Sequence, residues 1–210
     1  MPTITVWEWY WFWFLATLAL GLVVGSFLNV CIWRMPHDLS VVNPPSHCPA
    51  CKTRLRARDL VPVLSFLLQR GRCRYCGARI SWRYAVVESV TAAAFLLLFL
   101  VHGASPALFF DAVLVAALIA IFAIDLEHYI IPHELNWACI LSGLAREGWG
   151  VLTTGGLAHP VRIPVPGGGA LPVPASVFGA LFGAAVFLAI GFLGTKLFKK
   201  EAMGGGDLRL

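Results

Sequence analysis

The chain is short of charge. Only 13% of its 210 residues are Asp, Glu, Lys or Arg, while 59% are hydrophobic. A soluble domain carries about a quarter charged residues, so this shortage excludes an ordinary water-soluble globular fold. Basic residues are missing altogether before Arg34. That absence excludes a basic signal-peptide n-region. No small-residue cleavage site is visible either, so the first apolar run is expected to stay with the chain. Acids are scarce where bases gather. Ten of the 16 Lys and Arg lie between Arg34 and Arg83, with only Asp38 and Asp59 as carboxylates among them. No convincing internal repeat is visible.

Long apolar runs are what the chain has instead. A helix needs about 20 apolar residues to cross a bilayer. Five runs suit: Val6–Ile32, Tyr84–Val101, Ala107–Ile124, Glu134–Leu152 and Ala175–Phe198. The fourth holds Arg146 and Glu147, which must snorkel to an interface or pair with each other. The expected fold class is an all-α polytopic membrane protein, with about five transmembrane helices and a small cytosolic zinc-ribbon-like loop. The basic Arg34–Arg83 loop belongs inside and the N-terminus outside by the positive-inside rule. Trp7, Trp9, Tyr10, Trp11 and Trp13 suit an outer aromatic belt, with Trp33 at the inner edge.

Parity then places the remaining loops. His102–Pro106 is a short outer turn, and the third span delivers Asp125 to the cytosolic side. The Gly/Pro-rich stretch Thr153–Pro174 is expected to be an external loop, because its composition fits neither a helix nor a packed core. Lys196, Lys199 and Lys200 mark the inner end of the last span, and Asp207 follows. Asp111 lies towards the outer side and is read as a carboxylate facing water or a neighbouring helix.

Cys48-x-x-Cys51 and Cys73-x-x-Cys76 flank a linker of 21 residues. Four thiolates in two such knuckles suit a tetrahedral zinc ion. Two disulfides are the competing reading. A cytosolic loop is reducing surroundings, which favours metal. A full set of four protein ligands leaves no open position, so the role is structural. Cys31 and Cys139 lie within spans and read as packing residues. His47 is a spare ligand candidate beside Cys48.

Asp125 and Asp207 end separate apolar runs on the same expected side. Carboxylates at membrane depth are costly and rare, so each is a functional candidate. Two carboxyls held close share one proton, the arrangement of an aspartic-protease dyad. Gly204, Gly205 and Gly206 precede Asp207; without Cβ atoms they let backbone approach a substrate strand. His128 and His133 read as interfacial polar residues, and Glu127 and Glu134 as loop acids less suited to catalysis. An interfacial acid at Asp125 and a flexible linker at Gly204–Gly206 are the plainer alternatives.

Taken together, these segments resemble the prepilin peptidases, bacterial membrane aspartic proteases that process type IV prepilins and type II secretion pseudopilins. The similarity runs through Gly25-Ser26-Phe27-Leu28-Asn29-Val30 with Arg34 and Pro36, then Cys48-Pro49-x-Cys51 and Arg70-Gly71-Arg72-Cys73-Arg74-Tyr75-Cys76-Gly77. It continues through Ser81-x-Arg83-Tyr84 with Val87-Glu88, Asp125-Leu126 with Ile131-Pro132 and Leu135-Asn136, and Met203 to Leu210 around Gly204-Gly205-Gly206-Asp207. The resemblance implies cleavage after the leader Gly at the cytosolic face of the bacterial inner membrane, with Asp125 and Asp207 as the catalytic pair. It also implies N-methylation of the new terminus from S-adenosylmethionine, with Gly71 as a candidate position, and a multi-pass chain whose partners are prepilins and lipid, not nucleic acid.

On this reading residues 1–33 form the first span, 34–83 the zinc-binding loop domain and 84–210 the peptidase core. Family members continue past the second aspartate segment, so the chain is expected to be truncated after Leu210. The alternative is an inactive homologue that docks a pilus or secretion assembly through its zinc loop. A basic leader would be repelled by the basic loop, so leader recognition is expected near Asp125, Glu127, Glu134 and Asp207. The loop itself suits anionic lipid headgroups.

Overall fold

Each apolar run is a helix. In a computed structural model, residues 6–155, 160–165 and 169–198 are described. Helix α1 spans Val6–Arg34, the short α2 Leu64–Leu68, α3 Arg83–His102, α4 Pro106–His128, α5 His133–Thr154 and α6 Ala175–Phe198. Two strands, β1 Pro160–Val165 and β2 Gly169–Pro174, separate α5 from α6. The helix ends follow local chemistry. Pro106 opens α4, where its missing N–H costs nothing. Gly103, at φ 61°, ends α3. Tyr129 closes α4 in the left-handed conformation, its N–H donating to the Asp125 carbonyl at 3.0 Å.

Among the described residues, three helical segments are long and apolar enough to cross a membrane: Trp7–His37, Arg83–His102 and Pro106–His128. The fourth expected span is a helix, α5, but it does not join them. Besides Arg146 and Glu147 it carries His133, Glu134 and Asn136 within its first turns. In α6, Ala175–Val186 is a shorter apolar stretch.

The chain divides into two units, Met1–Leu135 and Asn136–Leu210. In the first, α1 lies along α3 with backbones in near contact. A Cβ on Gly21 would fall 2.7 Å from the Ala92 Cα, and one on Gly25 would fall 2.7 Å from the Glu88 Cα. Lipid tails are as apolar as leucine, so helices in a membrane are drawn together by such close packing rather than by water exclusion. Ala112, Ala116 and Ala120 give α4 a small-residue stripe. With Leu28, Ile32, Val87, Phe95 and Ile124 they form the core, against which Leu135 also packs.

The second unit corrects the loop reading. Within it, β1 and β2 pair antiparallel, with Val161 opposite Val173 and Ile163 opposite Leu171. Proline is tolerated because both strands of a two-stranded sheet are edges. The β-branched Val161, Ile163 and Val173 supply the strand preference that the Gly/Pro content masks.

Candidate active site and metal centre

Asp125 sits in the last turn of α4. The preceding residue, Ile124, is 0% exposed and locked in the core, while Asp125 itself is exposed. The core therefore fixes the turn and leaves the carboxylate at the surface. Among the described residues that carboxylate has no hydrogen-bond or ion-pair partner. Its neighbours are held firmly. Glu127 pairs with Arg83 at the start of α3, Nη1 to Oε1 at 2.6 Å. The guanidinium also lies 5.6 Å from the Tyr84 ring. His128 Nε2 lies 3.9 Å from the Glu127 carboxylate, and its ring meets that of His37 edge-on at 5.5 Å. His37 Nδ1 is 2.8 Å from the Trp33 carbonyl. A carbonyl only accepts, so that nitrogen carries the ring proton. Ends of α1, α3 and α4 are thus tied together around the Asp125 turn. Asp207 and Gly204–Gly206 lie outside the described residues. Asp111 has His102 as a neighbour, with Nε2 2.9 Å from its Oδ2.

The four loop cysteines do come together. Their sulfur atoms all lie within 4.8 Å of one another, with Cys48 and Cys76 3.8 Å apart. Four thiolates about 2.3 Å from a central zinc would be about 3.8 Å apart, so the cluster fits one tetrahedral metal ion with little movement. All four are free thiols, which leaves them available as ligands.

A repeat invisible in the sequence shapes this cluster. In the first knuckle the Cys48 N–H donates to the Thr53 carbonyl, Lys52 to Cys48 and Leu55 to Ser46, at 3.0, 2.8 and 2.9 Å. In the second, Cys73 donates to Ala78, Gly77 to Cys73 and Ile80 to Gly71, at 2.8, 2.9 and 2.8 Å. Lys52 and Gly77 occupy the same left-handed corner, at φ 57° and 73°.

Protons are unevenly held there. Thr53, through side chain and backbone, holds the Cys51 thiol down at about 6. Backbone N–H groups of Tyr75 and Cys76 lower Cys73. At Cys76 the Ala78 backbone pulls down, but burial and hydrogen bonding to the other three sulfurs outweigh it and push it up to about 11. A metal must displace the last proton from Cys76, so binding weakens as pH falls.

Sequence reading missed the side chains that anchor this loop. Glu88 is buried in α3 and accepts the Val63 N–H at 2.7 Å. Asn29, also buried, donates to the Gly25 carbonyl at 3.2 Å and the Tyr84 carbonyl at 3.1 Å. Arg34 donates to Ser40 and Pro44 carbonyls at 2.8 and 2.6 Å. Inside the loop, Asp59 accepts from Arg74 Nε and Tyr75 Oη, each at 2.8 Å. Burial pushes its carboxyl up, but Tyr75, the Arg56 amide and the Arg74 guanidinium overcome that and hold it below the ordinary range. Gly71 has a local reason to be glycine: its φ is 65° and a Cβ would meet the Phe66 ring at 3.2 Å.

Comparisons with known proteins follow the same division. Residues 19–102 match the Bacterial Peptidase A24 N-terminal domain, and residues 112–210 match the Type IV leader peptidase family. A type 4 prepilin-like proteins leader peptide-processing enzyme of Escherichia coli O78:H11 is 37% identical, over 93% of this chain and 73% of its own length. The chain belongs to the type IV leader peptidase family. A prepilin leader peptidase/N-methyltransferase of Dickeya chrysanthemi is 31% identical over 93% of the chain and 71% of its own length. One of Myxococcus xanthus is 38% identical over 90% of the chain, which spans 51% of that relative. No solved structure matches the chain. The peptidase-family match contains both Asp125 and Asp207, and the N-terminal match contains all four clustered cysteines.

Proposed function

We propose that this chain is a prepilin leader peptidase and N-methyltransferase of the bacterial inner membrane, cutting after the leader Gly at the cytosolic face. Its family membership favours this over a docking module. The observation that carries the mechanism is Asp125 itself, an exposed carboxylate with no partner among the described residues, on a turn immobilised by the core. On our reading Asp207, following Gly204-Gly205-Gly206, supplies the second carboxyl. One carboxylate takes a proton from water as that water attacks the scissile carbonyl. The other, protonated, donates to the carbonyl oxygen. Proton transfer to the departing amine then breaks the C–N bond.

The five-span topology remains our arrangement, with α5 and α6 as the two further crossings and the cysteine loop in the cytosol. Zinc is the metal best suited to the four-thiolate set, as a structural ion. S-adenosylmethionine, when bound, supplies an electrophilic methyl group for the new amino terminus. A cavity of about 450 Å³ beside the first knuckle is lined by Arg54, Arg56 and Tyr75. Two guanidinium groups and an aromatic ring fit an amino-acid carboxylate and a purine. Gly71, between α2 and the second knuckle, marks the loop segment assigned to methyl transfer. Leader recognition falls to Asp125, Glu134 and Asp207 more than to Glu127, whose charge is engaged by Arg83.

The deciding experiment incubates the protein with a prepilin and follows leader loss by mass, for wild type, Asp125→Asn and Asp207→Asn. Each variant should leave the prepilin uncut. Full cleavage by either would refute the two-carboxylate mechanism.

A further inference from the structure

The loop between α1 and α3 contains a segment that suits neither water nor its own small core. Leu64, Leu67 and Leu68 of α2 are 53%, 63% and 72% exposed, and Leu60 and Val61 just before them are also open. A run of exposed aliphatic side chains on a soluble loop is an unsatisfied apolar patch. We propose that residues 60–68 lie within the leaflet at the Arg34 and Arg83 end of the spans, among acyl chains, with flanking arginines on anionic phospholipid headgroups.

Depth is the first argument. The Val63 N–H is fixed to the Glu88 carboxylate at 2.7 Å. Glu88 lies five residues inside α3 from Arg83, which is about 8 Å along the helix axis. Next to it, Leu64 and Leu67 line a cavity of about 430 Å³ whose other walls include Leu22 of α1 and Leu96 of α3. Leu96 is thirteen residues from Arg83, and Leu22 is twelve from Arg34. Those separations are about 20 Å and 18 Å. Two independent rulers therefore place the far wall of the cavity well inside the hydrocarbon, where acyl chains are the available filler.

Charge is the second. Arg58, Arg70 and Arg72 flank this segment and are exposed, and among the described residues none has a carboxylate partner. Asp59 is already engaged by Arg74. Basic side chains around an inserted apolar stretch are the pattern of an interfacial element that selects anionic lipid.

The inference rests on the membrane placement proposed above, not on peptidase chemistry. The test is hydroxyl-radical footprinting of the full chain in nanodiscs, made from phosphatidylcholine with or without phosphatidylglycerol. With phosphatidylglycerol present, Leu64, Leu67 and Leu68 should oxidise several-fold more slowly than their protein-only exposure dictates. Protection should weaken without it, and likewise in the triple variant Arg58→Gln, Arg70→Gln, Arg72→Gln. Oxidation at the rate of a freely exposed leucine in both discs would overturn insertion. Equal protection in both discs would overturn the anionic headgroup contact. Prepilin cleavage measured on the same discs separates the two readings: unprotected leucines with intact cleavage would sink this inference alone. Protected leucines with no cleavage would sink the functional reading alone.

Discussion

Gly25→Ala tests whether α1 and α3 truly touch backbone to backbone. The new Cβ would lie 2.7 Å from the Glu88 Cα and 3.1 Å from the Thr91 Cβ. Neither atom can swing aside. Ordinary carbon contacts are about 3.5–4.0 Å, so the helices must part by about 1 Å. Overpacking of this kind costs about 1–3 kcal/mol. The same movement would lengthen the Asn29 to Tyr84 hydrogen bond from 3.1 Å to about 4 Å, beyond bonding range. Losing that bond in a buried site adds about 1–3 kcal/mol. The expected total is therefore about 2–6 kcal/mol, read by reversible unfolding in bicelles or by steric trapping. Gly143→Ala in α5, where no described residue lies within 4 Å of the added Cβ, is the control. It should be neutral or gain up to about 1 kcal/mol from helix preference. A Gly25→Ala loss below about 0.5 kcal/mol, the scale of an inconsequential substitution, would refute the close approach.

Three further outcomes are expected. Purified protein should contain about one zinc per chain, and Cys73→Ser or chelation should release it while leaving far-UV helicity largely intact; metal analysis and circular dichroism check both. Asp59 is held below its unfolded value, so its contribution is present above that value and is lost as pH falls through the lowered one; loop protection measured by hydrogen exchange in metal-free protein should decline there in wild type and lack that decline in Asp59→Asn. Arg83→Gln removes a partly exposed pair and should cost under about 1 kcal/mol of stability. The same substitution should lower the leader-cleavage rate by up to about 100-fold, the scale set by a 1 Å misplacement of catalytic groups.

How much was legible depended on whether the information is local. Apolar runs state their own helicity, so the boundaries of α1, α3, α4, α5 and α6 were readable within a few residues. Crossing a membrane is a stricter demand, and the polar positions of α5 set it apart in apolarity from α1, α3 and α4. The cysteine spacing announced a ligand cluster because knuckle geometry is set within four residues. Its repeated hydrogen-bond pattern was hidden, because Cys48-Pro-Ala-Cys51 and Cys73-Arg-Tyr-Cys76 share backbone shape with few side chains in common. Long-range partners were also hidden: nothing adjacent to Arg83 points to Glu127. Glu88 was findable in principle, since an acid inside an apolar run demands a partner, but the identity of that partner, a backbone N–H in the cysteine loop, is tertiary information. At residues 160–174 glycine and proline outweighed the β-branched positions, and the strand pair was read as loop. Asp125 was singled out from its place at a span end, and its exposure beside a sequestered Ile124 came only from packing.

The bond from Asn29 to the Tyr84 carbonyl has a consequence for modularity. It clamps the last turns of α1 to the first turn of α3, so everything from Arg34 to Arg83 hangs from a closed hinge point. A segment tethered at two adjacent posts can be swapped or shortened with little change in chain entropy, and the paired helices below need not register the exchange. One obligation travels with any such graft: the replacement must still offer a backbone N–H to Glu88, or that buried carboxylate is left with the Ser26 hydroxyl but without its amide partner.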